Sequence, residues 1–153
     1  MKRKGAPRFA RIPQKKAAAE DRRLARLTKI CLPLPEATRE LCGSHAGFLV
    51  RKKTFAYFLN NHHGDGIVGV TCKVLPGDNT ALIAAQPGRF YMPAYIGPRG
   101  WVALRLDVGK VDWEEVAELV ACSYRLVASK RLAAMVKHNG ARLPRGRKEQ
   151  ELR

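Results

Sequence analysis

The chain has 153 residues, enough for one domain with a single modest core, and its 29 Lys/Arg against 13 Asp/Glu give a net charge of +16. An apolar fraction of 46% is ordinary for a globular protein and speaks against wholesale disorder. No apolar run approaches the ~20 residues of a membrane span.

The charge is unevenly placed. Residues 1–29 hold 11 basic residues against Glu20 and Asp21, and residues 137–153 hold six against Glu149 and Glu151. The middle, 30–136, holds 12 against nine and is only mildly basic. Three segments follow: a basic arm with the start of the first helix (1–29), a globular domain (30–136) and a basic tail (137–153). Basic tails are the usual footprint of a polyanion partner, nucleic acid or an anionic surface, although they also serve solubility.

In chain order, MKRKGAPRFARIP is expected to be extended or disordered. A helix is expected from Gln14 to Cys31, with Leu24, Leu27 and Cys31 on its apolar side. Pro33 and Pro35 end it. Phe48–Val50 and Thr54–Leu59 read as strands joined by Arg51-Lys52-Lys53. In the second strand Phe55, Tyr57 and Leu59 alternate with Ala56 and Phe58, so both faces are apolar, as in a central strand. Asp65-Gly66 closes a turn that begins at Asn61, and Ile67–Lys73 returns. Val68, Val70 and Cys72 point one way; Gly69, Thr71 and Lys73 point the other. A short helix over Thr80–Gln86 and a short strand over Arg89–Met92 follow.

The pattern from Tyr95 to Val127 organises the rest. Val102, Leu104 and Leu106 alternate with Ala103 and Arg105, the period of a half-buried strand. Trp101 shares the face of Ala103 and Arg105. Asp112 stands where a helix N-cap belongs, Glu115 completes a capping box, and Val111 and Val116 flank it as a hydrophobic staple. Val116, Leu119, Val120, Ser123 and Val127 then form one buried helical stripe. Lys130–Val136 is expected to extend this helix, and Gly140–Arg153 to be a loose tail.

Cys31, Cys42, Cys72 and Cys122 form no C-x-x-C pair and sit among apolar neighbours. They are expected as buried, reduced thiols in a cytoplasmic protein. The Arg-rich, acid-poor N-terminus is also how an organellar transit peptide looks. His62-His63-Gly64-Asp65 is the one cluster with metal-ligand chemistry. Adjacent side chains diverge, however, and ordinary turn polarity accounts for the loop. No phosphate-binding glycine loop, paired carboxylate or Ser-His-Asp spacing is present, so neither an enzyme nor a cofactor is expected. Binding has more to work with. Arg51-Lys52-Lys53 and Arg99 occupy two turn tips, Lys73 ends one strand and Arg89 begins another.

These stretches resemble the MmcQ/YjbR family. The similarity is carried by LPLPEA, KTFAYF, NNHHGDG, CK-x-x-PG, PGRFYMPAYIGPRGWVALRLD and SYRLVASKRL, from about Ile30 to Leu132. The resemblance implies an α+β, CyaY-like fold: an antiparallel sheet of about five strands, with N- and C-terminal helices on one face. It also implies a DNA-binding role with a double-wing arrangement of β-hairpins, and it brings no catalytic residues. DNA is therefore the expected partner, contacted without sequence preference through Arg51, Lys52, Lys53, Lys73, Arg89 and Arg99. The alternative is a module for a small ligand or a protein partner, with its site near His62, His63, Tyr95 and Trp101.

Overall fold

A computed structural model describes residues 20–136. The first helix, α1 (Arg22–Cys31), starts where the Asp21 carboxylate accepts the Arg23 amide at 2.8 Å. The expected start is Gln14, but Glu20 and Asp21 are not helical, because the Asp21 side chain caps the helix instead; residues 14–19, the extended arm and the loose tail lie outside the described residues. Leu24, Leu27 and Cys31 are buried as their spacing requires.

Six strands follow: β1 (Ala37–Cys42), β2 (His45–Val50), β3 (Lys53–Asn60), β4 (Val68–Lys73), β5 (Phe90–Tyr91) and β6 (Trp101–Arg105). They form one antiparallel sheet in the order β1-β2-β3-β4-β6-β5. The count exceeds expectation by β1, a largely exposed edge strand without an apolar alternation to announce it. Helix α2 (Asp78–Ala85) packs against β5 and β6. Helix α3 (Trp113–Val127) lies across β3 and β4, and α1 packs on α3. The short α4 (Lys130–Ala134) is a separate helix, because Ser129 caps it by accepting the Leu132 amide.

The core lies between the sheet and α3. One row across β2, β3, β4 and β6 is Phe48, Ala56, Cys72 and Val102. The next is Ala46, Phe58, Val70, Leu104 and Phe90. All are buried, together with Val116, Leu119, Val120 and Tyr124 of α3. Each large side chain so buried contributes about 1.5–3 kcal/mol. Asp112 caps α3 through the amides of Glu114 and Glu115. The Glu115 side chain turns away to Arg89, so the capping box is one-sided. The cysteines are free thiols; Cys31 and Cys72 are buried, and burial pushes both thiols up. Cys42, expected to be buried, is exposed on the edge strand β1.

One irregularity shapes the sheet. Phe48 faces Ala56 but Leu49 faces Thr54, which leaves Phe55 as an extra, bulged residue in β3. Ser123 of α3 fills the resulting gap. Its hydroxyl donates to the Phe55 carbonyl at 2.6 Å and accepts the Lys73 amide at 2.9 Å. The bulge also corrects an expectation. Phe55 does not share a face with Tyr57 and Leu59; it turns to the helix side, where its ring meets Tyr124 edge-on at 5.2 Å. Tyr124 in turn donates to the Pro35 carbonyl at 2.6 Å.

Candidate functional sites on the sheet

Antiparallel pairing brings distant cations to one end of the sheet. The β2–β3 turn carries Arg51 and Lys52, and β3 begins at Lys53. β4 finishes at the same end with Lys73, which pairs with Trp101 at the start of β6. Arg99 precedes Trp101 in a single 3-10 turn, Gly97–Arg99, and the Gly100 carbonyl accepts the Val74 amide at 2.8 Å. Five of the six expected phosphate contacts therefore converge. Arg51, Lys52, Lys53 and Arg99 are exposed, and Lys73 is half-buried.

The turn itself is strained. Arg51 and Lys52 have φ of 48° and 69°, left-handed at both central positions, where a two-residue hairpin favours Asn-Gly. Side chains there cost on the order of 1 kcal/mol each. Glu36, also left-handed at φ 58°, grips Arg51 in a two-pronged pair at 2.7 and 3.1 Å. That hydrogen bonding holds the Glu36 carboxyl below its ordinary range, and the nearby charges of Arg51 and Arg131 reinforce it. Beside Lys73, on the face away from α3, Trp101 tilts against Tyr57 with centroids 5.7 Å apart.

Arg89 is not part of this group. Its carbonyl accepts the Arg105 amide, which places it toward the opposite end of the sheet. Its guanidinium is held by Gln86 and by Glu115, whose side chain is only 9% exposed. The pair ties the start of β5 to the first turn of α3.

The opposite end of the same face carries a cleft of about 270 Å³. Its floor is Tyr57, Leu59 and Thr71 of β3 and β4. Tyr91 stands at one side, and the segment from Pro93 to Ile96 folds over it. His62 and His63, in the 3-10 turn after β3, complete the wall with Asp65. Their rings lie 3.9 Å apart, and His63 meets Tyr95 edge-on at 6.3 Å. His63 and Tyr95 are left-handed at φ 59° and 64°, and Tyr95 is 82% exposed. Thr71 is fully buried, and its hydroxyl has no hydrogen-bond partner among the described residues. Burial, with the Asp65 charge, pushes the Tyr91 hydroxyl up. Of the four residues expected here, His62, His63 and Tyr95 meet; Trp101 lies outside the cleft lining.

His45 stands behind His62, centroids 5.2 Å apart, and its Nδ1 accepts the Asn60 amide at 3.1 Å. Desolvation, then the neighbouring His62, holds its pKa below the ordinary value. Among the described residues no three His, Cys, Asp or Glu side chains are arranged to hold a metal ion. Sequence reasoning missed Tyr57, Thr71, Tyr91 and His45 as neighbours of this site. The alternation along β3 and β4 was the available signal for Tyr57 and Thr71.

The family model named YjbR matches residues 32–126 of the chain. No curated protein matches it. Among solved structures it is similar to the Deinococcus radiodurans protein DR2400, described by the family-model domain DUF419. The TM-score is 0.56 at 24% identity, covering 67% of this chain and 76% of that one. At that identity the likeness is one of fold. Among the described residues no helix is long and apolar enough to cross a membrane.

Proposed function

The chain belongs to the YjbR family, and from that premise we propose that it is a DNA-binding protein that holds duplex phosphates through the cationic end of its sheet, largely without reading sequence. One observation carries the reading. Arg51 and Lys52 occupy left-handed turn positions where glycine or asparagine would be less strained, in line with Lys53, Lys73 and Arg99. The Glu36 pair helps hold Arg51, and the strain retained at the solvated Lys52 points to that side chain itself being needed. Two β-derived tips, the β2–β3 turn and the turn before β6, bring cations that suit contact with a phosphate backbone. The half-buried Trp101–Tyr57 pair beside Lys73 offers an aromatic surface next to those charges. The excess positive charge of residues 1–29 and 137–153 adds sequence-independent attraction. The free thiols suit a reducing cytoplasm.

The test is a salt titration of full-length protein on a labelled duplex. With about six phosphates neutralised, log K falls against log salt with a slope near −5. Replacing Arg51, Lys52 and Lys53 together by Ala flattens that slope by about 3 and weakens binding equally on unrelated sequences. A triple variant that binds as the parent does would move the interface to the arms. No binding at low salt would remove DNA as the partner.

A further inference from the structure

The cleft at the other end of the sheet lies apart from the cationic end. Its shape and chemistry differ from those of the cationic end. Among its described lining residues there is no Lys or Arg, so it offers nothing permanently positive to a phosphate or carboxylate. Its walls are the rings of Tyr57, Tyr91 and Tyr95, with His62, His63 and Asp65, whose carboxylate accepts the Ile67 amide, at the rim. Aromatic walls favour a flat, polarisable guest. A volume of about 270 Å³ is slightly below the range typical of drug-sized ligands, which limits the guest to one or two rings.

Two independent features point to a missing occupant. The first is Thr71, fully buried at the cleft floor with an unpaired hydroxyl. Buried polar side chains are nearly always paired, so an orphan at the bottom of a cleft calls for a partner. The second is backbone strain at the rim. His63 and Tyr95, both non-glycine and both left-handed, line the cleft with rings 6.3 Å apart, and Tyr95 keeps 82% of its surface in water. Left-handed non-glycine residues gather at ligand clamps because the surrounding structure over-determines them.

We propose that this cleft binds a neutral planar aromatic or heteroaromatic molecule of one or two rings, whose hydroxyl or ring N–H reaches the Thr71 hydroxyl as the side chains that cover that buried group move aside. Tyr95 closes over the ring and loses exposed surface, and His63 packs against Tyr95. This site does not depend on the duplex reading, and each stands if the other fails.

Two-dimensional amide NMR of the full-length protein, titrated with phenol, indole, toluene and cyclohexanol, tests it. Phenol and indole are expected to shift the Thr71, Tyr91 and Tyr95 resonances saturably, with Kd on the order of 1 mM. Cyclohexanol is expected to shift them weakly. Thr71→Val removes the hydroxyl and with it an unsatisfied buried group, so the variant should fold at least as well as the parent. It should bind phenol about five- to tenfold more weakly and toluene within about twofold of the parent. Tyr95→Ala, at an exposed ring, should weaken phenol and toluene alike. The proposal is overturned if no probe saturates these resonances by about 10 mM. It is equally overturned if the shifts cluster elsewhere, or if both variants bind phenol as the parent does.

Discussion

The two ends of the sheet are made from the same strands and differ in nearly every physical respect. At one end Arg51, Lys52, Lys53, Lys73 and Arg99 gather on turns and strand ends, all exposed except the half-buried Lys73. At the other, rings cover a buried hydroxyl, and the charged groups at the rim are few. Both ends carry left-handed non-glycine residues: Arg51 and Lys52 at the first, Asn61, His63 and Tyr95 at the second. The strain serves different purposes. At the tip it carries cations, one of them paired with Glu36, and at the cleft it carries lining rings. Backbone strain alone therefore does not say what a site binds; the side chains it carries do.

The largest expected effect tests what holds the cationic end to α3. Ser123→Ala removes the hydroxyl that serves both the Phe55 carbonyl and the Lys73 amide. It leaves two backbone groups unpaired in the interior, and urea denaturation should show a loss of about 2–4 kcal/mol. Next, Arg89 and Arg99 should separate cleanly. Arg89→Ala leaves the Glu115 carboxylate without its partner and should lower stability by about 1–2 kcal/mol, discounted because Arg89 is itself 36% exposed. Duplex affinity should be unchanged. Arg99→Ala should do the reverse: no change in melting temperature, and duplex affinity several-fold weaker. If Arg89→Ala weakens binding as much as Arg99→Ala, the division between the ends fails.

A smaller effect sharpens the strain argument. Lys52→Gly, at φ 69°, should raise stability by up to about 1 kcal/mol while weakening duplex binding. A variant that gains neither stability nor loses affinity would show that the turn is neither strained nor in contact. The smallest effect concerns pH. His45 has a pKa held below its unfolded value, so the unfolded chain binds the extra proton first. Stability from this residue is fully present above the ordinary histidine pKa near 6.5 and declines as pH falls toward the folded value. His45→Gln should flatten the dependence of melting temperature on pH between about 7 and 5.

How much of this was legible follows from where the physics is local. The Asp112 cap, the α3 stripe and the strands β2, β3, β4 and β6 rest on alternation and capping chemistry within a few residues, and they appear as expected. β1 was not legible, because an edge strand with ATRELC faces water on most positions and needs no apolar period. The bulge at Phe55 was hidden by apolar residues on both faces of β3, which tolerate either register. The separate start of α4 was available in Ser129, a good N-cap placed where a continuous helix was expected. Three of the five cations at that end, Arg51, Lys52 and Arg99, came from turn positions that the sequence marks well. Arg89 did not join it, because its partner Glu115 lies 26 positions away. The cleft was half visible in His62, His63 and Tyr95. The segment from Pro93 to Ile96 lines it together with β3 and β4, a tertiary meeting with no local signature.

The serine that seats the bulge has a consequence for anyone who would borrow the hairpin. A bulge sharpens the local twist and so sets the direction in which the tip leaves the sheet. Here that twist is secured from a helix 68 positions downstream. Residues 45–60 transplanted into a foreign scaffold would bring the arginine and the lysines but not their aim, which travels only with Ser123.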